Sequence, residues 1–227
     1  SKSFPDGIHY RTVVDINKFL SASIEKVMIT LLECFGLVFI VIFIFLQDIR
    51  STLIHGISVP VSITGTFFFL YIFGYSINLL TLFALVLAIG IVVDDAIVVV
   101  EAVHAKLEHG YKSPRKAAID AMQEITGAIL SITLIMAAVF IPVSFISGSS
   151  VVFYKQFGLT LAIAIILSAV NALTLSPALC AIFLKPHKED DKKSKNFIHR
   201  FYDAFNTSFD AVTKKYKRSV GFLSHQK

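Results

Sequence analysis

The chain has 227 residues, of which 55% are hydrophobic and 16% charged, and it has no tryptophan. Its mean hydropathy is +0.73, and a soluble domain carries about 25% charged residues, so there is too little polar sequence here to cover a water-facing surface. Disorder is excluded on the same ground, a disulfide scaffold by the two cysteines, and the net charge of +5 raises a nucleic-acid reading that the placement of the basic residues must decide.

In chain order, residues 1–20 are mixed polar and apolar, with an extended look over Ile8–Val14. They are expected to be the end of an external domain. Ser21 or Ser23 could cap a helix leading into the first span, with Glu25 in its first turn. Five apolar runs follow, near 29–46, 53–73, 79–100, 125–145 and 157–184. Each approaches or exceeds the ~18 residues that mark a spanning helix, whereas barrel strands would be ~10 residues of alternating polarity. The predicted fold is an all-α membrane protein, a bundle of five transmembrane helices. Short links make consecutive spans antiparallel neighbours. Ser113 followed by Pro114 predicts an N-cap and first turn leading into the fourth span.

Residues 185–195 form a charged linker. From Asn196 the pattern turns amphipathic: Phe197, Phe201, Phe205 and Phe209 recur every four residues, and Val212, Tyr216 and Val220 extend the stripe. This predicts a helix over 196–220 lying on a membrane surface, or one packed on a further domain, followed by a short tail at 221–227.

The basic residues sort by side. Lys2, Arg11, Lys18, Lys26 and Lys155 share one side of a five-span bundle, and the other sixteen of the 21 Lys and Arg lie on the opposite side. The positive-inside rule then places the C-terminal tail in the cytoplasm and the N-terminus outside. The excess charge is thus a topology signal, and nucleic acid is not an expected partner. The start at Ser1, without an initiator Met, and the odd span count predict a piece of a larger membrane protein.

The most informative stretch is Gly90-Ile91-Val92-Val93-Asp94-Asp95, continuing through an apolar run to Glu101. The 15-residue run of 79–93 covers roughly 22 Å at 1.5 Å per residue. That is short of the ~30 Å hydrocarbon core. Residues 96–100 make up the difference, which puts Asp94 and Asp95 inside the membrane, toward the tail side. The alternative is a shorter span with the pair at the interface. An aspartate at the bilayer centre costs ~2.5–3.5 kcal/mol on insertion scales. Burial and a like neighbour both penalise two simultaneous charges, so such a carboxyl can take up and release a proton. That is the chemistry of a proton relay. A structural ion pair would serve instead, but no Lys or Arg lies inside the five apolar runs.

Glu101 lies seven residues after Asp94 and so shares its helix face, with Gly90 one turn before. A small residue there allows another helix to approach closely. Glu33 is a further acid in an apolar run, either functional or facing interfacial water. Pro60, Pro142 and Pro177 read as tolerated kinks. Cys34 and Cys180 lack metal-ligand spacing and read as packing residues. His104 and His109 read as solvated. No phosphate loop or nucleophile motif is present, so no cofactor, bound metal or ATP chemistry is expected. An intramembrane aspartyl protease needs aspartates on facing helices, whereas adjacent residues on one helix diverge by about 100°.

With these motifs the chain resembles the resistance-nodulation-division efflux transporters, in particular their multidrug branch. The stretch from Gly90 through Asp94-Asp95 to Glu101 is similar to the family's fourth transmembrane helix. Leu46-Gln47-Asp48-Ile49-Arg50 is similar to its short cytoplasmic turn, and Val59-Pro60-Val61 to the following span. Phe73-Gly74-Tyr75-Ser76-Ile77-Asn78 is similar to the start of the aspartate helix, and Ser176-Pro177-Ala178-Leu179-Cys180 to the end of the sixth helix. Ala102 departs from the family, which usually has Asn there. The resemblance covers nearly the whole chain and is weakest in the tail.

The resemblance implies spans two to six of the first six-helix repeat of a 12-helix transporter of the bacterial inner membrane. Residues 1–20 would end a periplasmic porter region, and the Phe-striped helix would link the repeats. Asp94 and Asp95 would carry protons, with basic and hydroxyl partners in the second repeat. The implied activity is antiport of protons against drugs or other amphiphiles, powered by the proton motive force, in a homotrimer joined to a periplasmic adaptor and an outer-membrane channel. The chain would be a secondary transporter and not an enzyme. Heavy-metal export by the same fold, whose branch usually has one aspartate, and a structural fragment with inert aspartates stand as the alternatives.

Overall fold

The computed structural model describes residues 16–148, 150–185, 207, 209 and 213–218. The described residues form helices and no strand: α1 (Ile16–Leu46), α2 (Ile49–Ile72), α3 (Leu79–Glu108), α4 (Pro114–Val143), α5 (Val151–Leu173) and α6 (Leu175–Phe183). Five stretches are long and apolar enough to cross a membrane, with α5 and α6 together making the fifth.

Local chemistry sets most of the helix ends. Asp48 caps α2, its carboxylate accepting from the backbone N–H groups of Arg50 and Ser51 and from the Ser51 hydroxyl at 2.7 Å. Asn78 and Thr81 cap α3 reciprocally, each side chain accepting from the other's backbone N–H. The Asn78 amide also donates to Gln156 Oε1 on α5 at 2.7 Å, tying the two helices together at that end. Ser113 and Pro114 open α4 as their order predicts. α2 and α3 both stop at a glycine of positive φ, Gly74 at 73° and Gly110 at 94°. In each case the N–H that follows the glycine donates back across the last turn, Tyr75 to the Leu70 carbonyl and Tyr111 to the Lys106 carbonyl. That wrapped ending needs a left-handed residue, which glycine adopts without a Cβ clash.

Three helix ends differ from expectation. α1 is already helical from Ile16, so Ser21 and Ser23 lie inside it and cap nothing. α3 runs on past the apolar run to Glu108 and α4 starts well before its own run, at Pro114, so only a few residues join them. The fifth span is broken at Thr174 (φ −121°, ψ −65°). Pro177 explains the break: its ring excludes the carbonyl of Leu173, four residues back, and it offers that carbonyl no N–H. Pro60 has the same effect on Gly56, yet α2 continues through it.

α3 is the central helix and packs against every other one. α1 and α4 lie outside and expose Leu37, Ile40, Phe45, Leu134 and Ile135. A soluble protein would not leave such an apolar surface in water, but hydrocarbon accepts it at no cost. Two apolar clusters fill the interior. One holds Val59, Leu85, Ile89, Val92 and Leu161. The other holds Ile54, Val99, Val103, Ala118, Ala169 and Cys180.

Most of the expected amphipathic helix, including Phe197, Phe201 and Phe205, lies outside the described residues, as do residues 1–15 and the charged linker from Pro186. Residues 213–218 are helical. Phe209 packs edge-on against Phe45 in the last turn of α1, with ring centroids 6.2 Å apart.

Candidate functional site

Adjacent residues on a helix point about 100° apart, and α3 puts that divergence to use. Asp95 turns inward and is 8% exposed. Asp94 turns outward and is exposed. The two carboxylates therefore occupy different surroundings on neighbouring residues.

Asp95 faces α5. The Ser168 hydroxyl lies 2.6 Å from its Oδ2 and 3.2 Å from the Val92 carbonyl of α3. A hydroxyl carries one proton, so it satisfies one of these acceptors at a time. When Asp95 is ionised, Ser168 donates to it. When Asp95 is protonated, the carboxyl can donate to Ser168, which then turns its own proton to the Val92 carbonyl. Both protonation states thus find a complete hydrogen-bond chain, and neither leaves a buried polar group orphaned.

This pair belongs to a polar layer between the two apolar clusters. The Asn171 amide of α5 donates to Ser62 Oγ of α2 at 2.7 Å. Ser58 of α2 and Ser176 of α6 have hydroxyls 3.3 Å apart. Ser58, Ser62, Ser168 and Ser176 are all buried. α2, α3, α5 and α6 each contribute to this layer, and buried hydrogen-bonded groups of this kind fix the register of packed helices.

Asp94 lies on a separate stripe of α3 with Phe83, Leu87, Gly90, Val98 and Glu101, all exposed. A Cβ built on Gly90 meets nothing within 4 Å. No described helix covers this stripe. Neither Asp94 nor Asp95 forms an ion pair among the described residues, where the ion pairs are His104 with Glu108 and Lys106 with Glu124. Glu33 is exposed on α1 and is joined to neither aspartate among the described residues.

The family resemblance implies basic and hydroxyl partners for the aspartates in a second repeat. Ser168 places one within this chain. A signal for it exists: on α5, Leu161, Ile165, Ser168 and Ala172 follow one another at helical spacing, and a lone hydroxyl in a buried apolar stripe needs a partner. α2 carries a longer signal, because Ser51, His55, Ser58, Ser62 and Thr66 recur at steps of three and four and are all buried. His55 and this polar face were not singled out by composition or motif.

At the Glu108 end, α3 and α4 are clamped. Lys106 and Glu124 form an ion pair. The Tyr111 hydroxyl bonds to Asp120, which holds the phenol above its ordinary range because the carboxylate stabilises the protonated form.

Comparison with known proteins places this arrangement among transporters. Residues 1–227 match the sequence profile of the AcrB/AcrD/AcrF family. The chain is 45% identical over 218 residues to the multidrug export protein AcrF of Escherichia coli (strain K12), covering 96% of this chain and 21% of that protein. It is 42% identical over 223 residues to the toluene efflux pump membrane transporter TtgE of Pseudomonas putida, covering 98% of this chain and 21% of that protein. It is 41% identical over 223 residues to the multidrug resistance protein MdtF of Escherichia coli (strain K12), at 98% and 21% coverage. The chain thus spans about one fifth of the length of these relatives.

Proposed function

This chain belongs to the AcrB/AcrD/AcrF family, and from that premise we propose that it is the proton-translocating membrane part of an efflux pump that exports drugs or other amphiphilic compounds. The observation that carries the reading is Asp95, buried in a membrane-spanning helix and held by Ser168 in a site that suits either protonation state. Each proton that crosses delivers ~2.3 kcal/mol per 100 mV of membrane potential, together with the pH difference. Uptake or loss of a proton at Asp95 changes which acceptor Ser168 bonds, and so changes how α3 and α5 hold one another.

The relatives bear names of multidrug export and toluene efflux, which supports export of amphiphiles as the work done with that energy. In this reading the pump is a secondary antiporter of the bacterial inner membrane, with the proton motive force in place of a cofactor. Its N-terminal end is periplasmic and its tail cytoplasmic, as the Lys and Arg distribution favours. The open stripe around Asp94 receives the second repeat, which brings a Lys or Arg and a further hydroxyl. The assembly is a homotrimer that meets a periplasmic adaptor and an outer-membrane channel.

The test is Asp95→Asn in the full-length pump, reconstituted in proteoliposomes with drug efflux and proton uptake measured together. Both should be lost while the protein stays folded. If both continue at the parental rate, the aspartates are structural and the relay is refuted.

A further inference from the structure

His55 is 1% exposed, in the middle of the buried polar face of α2. Its Nδ1 lies 2.8 Å from the Ser51 carbonyl. A carbonyl only accepts, so Nδ1 carries the proton and donates. In the neutral ring Nε2 is then a bare lone pair. Nε2 is also the buried side-chain nitrogen or oxygen left without a hydrogen-bond partner among the described residues. An orphaned buried acceptor costs about 1–3 kcal/mol. A packing residue would avoid that penalty, because Leu would fill the space with no polar atom at all.

The Ala96 backbone on α3 lies near the imidazole but forms no hydrogen bond with it, so a proton on Nε2 would give the ring a second donor, facing a helix other than its own. Ala96 directly follows Asp95, one residue further toward the Glu108 end. The elements packed against α2 are α1, α3, α5 and α6. Their titratable and charged groups are few near this position. α3 offers Asp95 inward, Asp94 and Glu101 on its exposed stripe, and His104, Lys106 and Glu108 in its last turns. α6 offers Cys180 alone, and α5 has only Tyr154 and Lys155, both in its opposite end. α1 offers Lys18, Glu25, Lys26, Glu33 and Cys34, in its first two thirds. On α2 itself, Arg50 and the capping Asp48 sit at the helix start.

We propose that His55 is a further proton-binding station of this membrane bundle, accepting a proton at Nε2 on the Glu108 side of Asp95. The inference rests on the relay reading above and extends it by a residue from α2. The proton comes from the Asp95 carboxyl, directly or through the hydroxyls of the polar layer, and leaves to water at the end of the bundle shared by Asp48 and Glu108. One O–H bond breaks and one N–H bond forms, Nδ1 keeps its proton throughout, and the products are a carboxylate and an imidazolium that attract each other. The imidazolium then donates to the backbone beside Asp95, which couples the occupancy of the two sites.

Transport by the full-length pump in proteoliposomes tests this, with the pH on the tail side varied from about 5 to 8, the window in which histidine titrates. The parent should show a component of its pH profile in that window, and His55→Gln should lose it and slow proton uptake about tenfold. Nitrogen NMR of the histidine-labelled parent, which needs no variant, should show His55 Nε2 passing from bare to protonated across the same range. A His55→Gln profile that superimposes on the parental one overturns the proposal, as does a ring that stays neutral to pH 5. Asp95→Asn run in parallel separates the two ideas. Transport lost in Asp95→Asn but unaltered in His55→Gln overturns the histidine station alone. Full transport in Asp95→Asn overturns the relay and the station with it.

Discussion

The divergence of Asp94 and Asp95 makes opposite demands on stability, and alanine at each position reads them out. Asp95→Ala removes a carboxylate that accepts from Ser168 at 2.6 Å. A hydrogen bond to a charged group contributes about 1.5–3 kcal/mol, and a neutral one about 0.5–1.5 kcal/mol. Ser168 is not orphaned by the change, because the Val92 carbonyl remains within 3.2 Å. The expected loss is therefore about 1–3 kcal/mol, with no added penalty for an unpaired hydroxyl. Asp94→Ala removes an exposed side chain with no partner among the described residues. Alanine is also the better helix former by up to about 0.7 kcal/mol. Within this part of the protein, Asp94→Ala should cost nothing. Asp95→Asn keeps an oxygen that Ser168 can donate to and should fall between the two. The assay is denaturant titration of the 227-residue chain in lipid nanodiscs, followed by near-ultraviolet circular dichroism, with the three variants beside the parent. Equal destabilisation by the two alanines, or a larger loss at Asp94, would refute the inward and outward assignment.

The remaining expectations concern packing and charge outside the aspartates. A Cβ on Gly158 would meet Ser144 Oγ at 3.0 Å and the Phe140 carbonyl at 3.1 Å, so Gly158→Ala should destabilise by about 1–3 kcal/mol through overpacking of α5 on α4. Gly90→Ala meets nothing in this chain and should stabilise it by up to about 1 kcal/mol, whereas a loss of transport in the full-length pump would mark the helix that covers Gly90. Tyr111 is held above its ordinary range by Asp120, so its contribution is complete at neutral pH and is lost as pH rises past the raised value. Absorbance titration of the parent against Tyr111→Phe should find this phenol ionising later than its ordinary range, and Asp120→Ala should abolish the delay. Phe209→Ala removes the edge-on contact with Phe45, a pair worth about 0.5–1.5 kcal/mol, and should speed proteolysis between Lys185 and Phe209.

The spans were legible because length and apolarity suffice to recognise a membrane helix, and the five stretches fall where the apolar runs do. Helix ends were legible where one side chain makes the cap, as at Ser113. They were not legible at Ser21 and Ser23, because serine is equally at home one turn inside a helix, bonding its own preceding carbonyls. The break at Thr174 follows from Pro177, but Pro60 sits inside an unbroken helix, so proline alone does not decide between a kink and a break. The candidate site was legible as two residues and illegible as an arrangement. Asp94 and Asp95 announce themselves because charge is rare in a span. Ser168 stands 73 residues from Asp95 in sequence, and only the packing of α3 on α5 brings them together. His55 sits in a helix whose other buried polar residues are all small hydroxyls, and its unpaired nitrogen is something that only the fold reveals.

In the proposed relay, the position of α3 lets a change at Asp95 reach the whole bundle. A buried helix that touches every other helix cannot slide without repacking them, since interiors packed at crystal density have discrete arrangements in place of continuous ones. Asp95 sits where the apolar packing of α3 is interrupted, between the cluster around Leu85 and Ile89 and the cluster around Val99 and Val103. Contacts within each cluster are non-directional and tolerate small shifts, whereas the polar layer between them is directional. A change in which group Ser168 bonds therefore acts in the middle of the bundle, at a level where helix register is specified by hydrogen bonds. Asp94, one residue away, presents the same helix to whatever lies outside. Two adjacent carboxylates on one rigid helix thus present one acid to the hydrogen-bonded interior and one to an external face, which a lone aspartate at either position could not do.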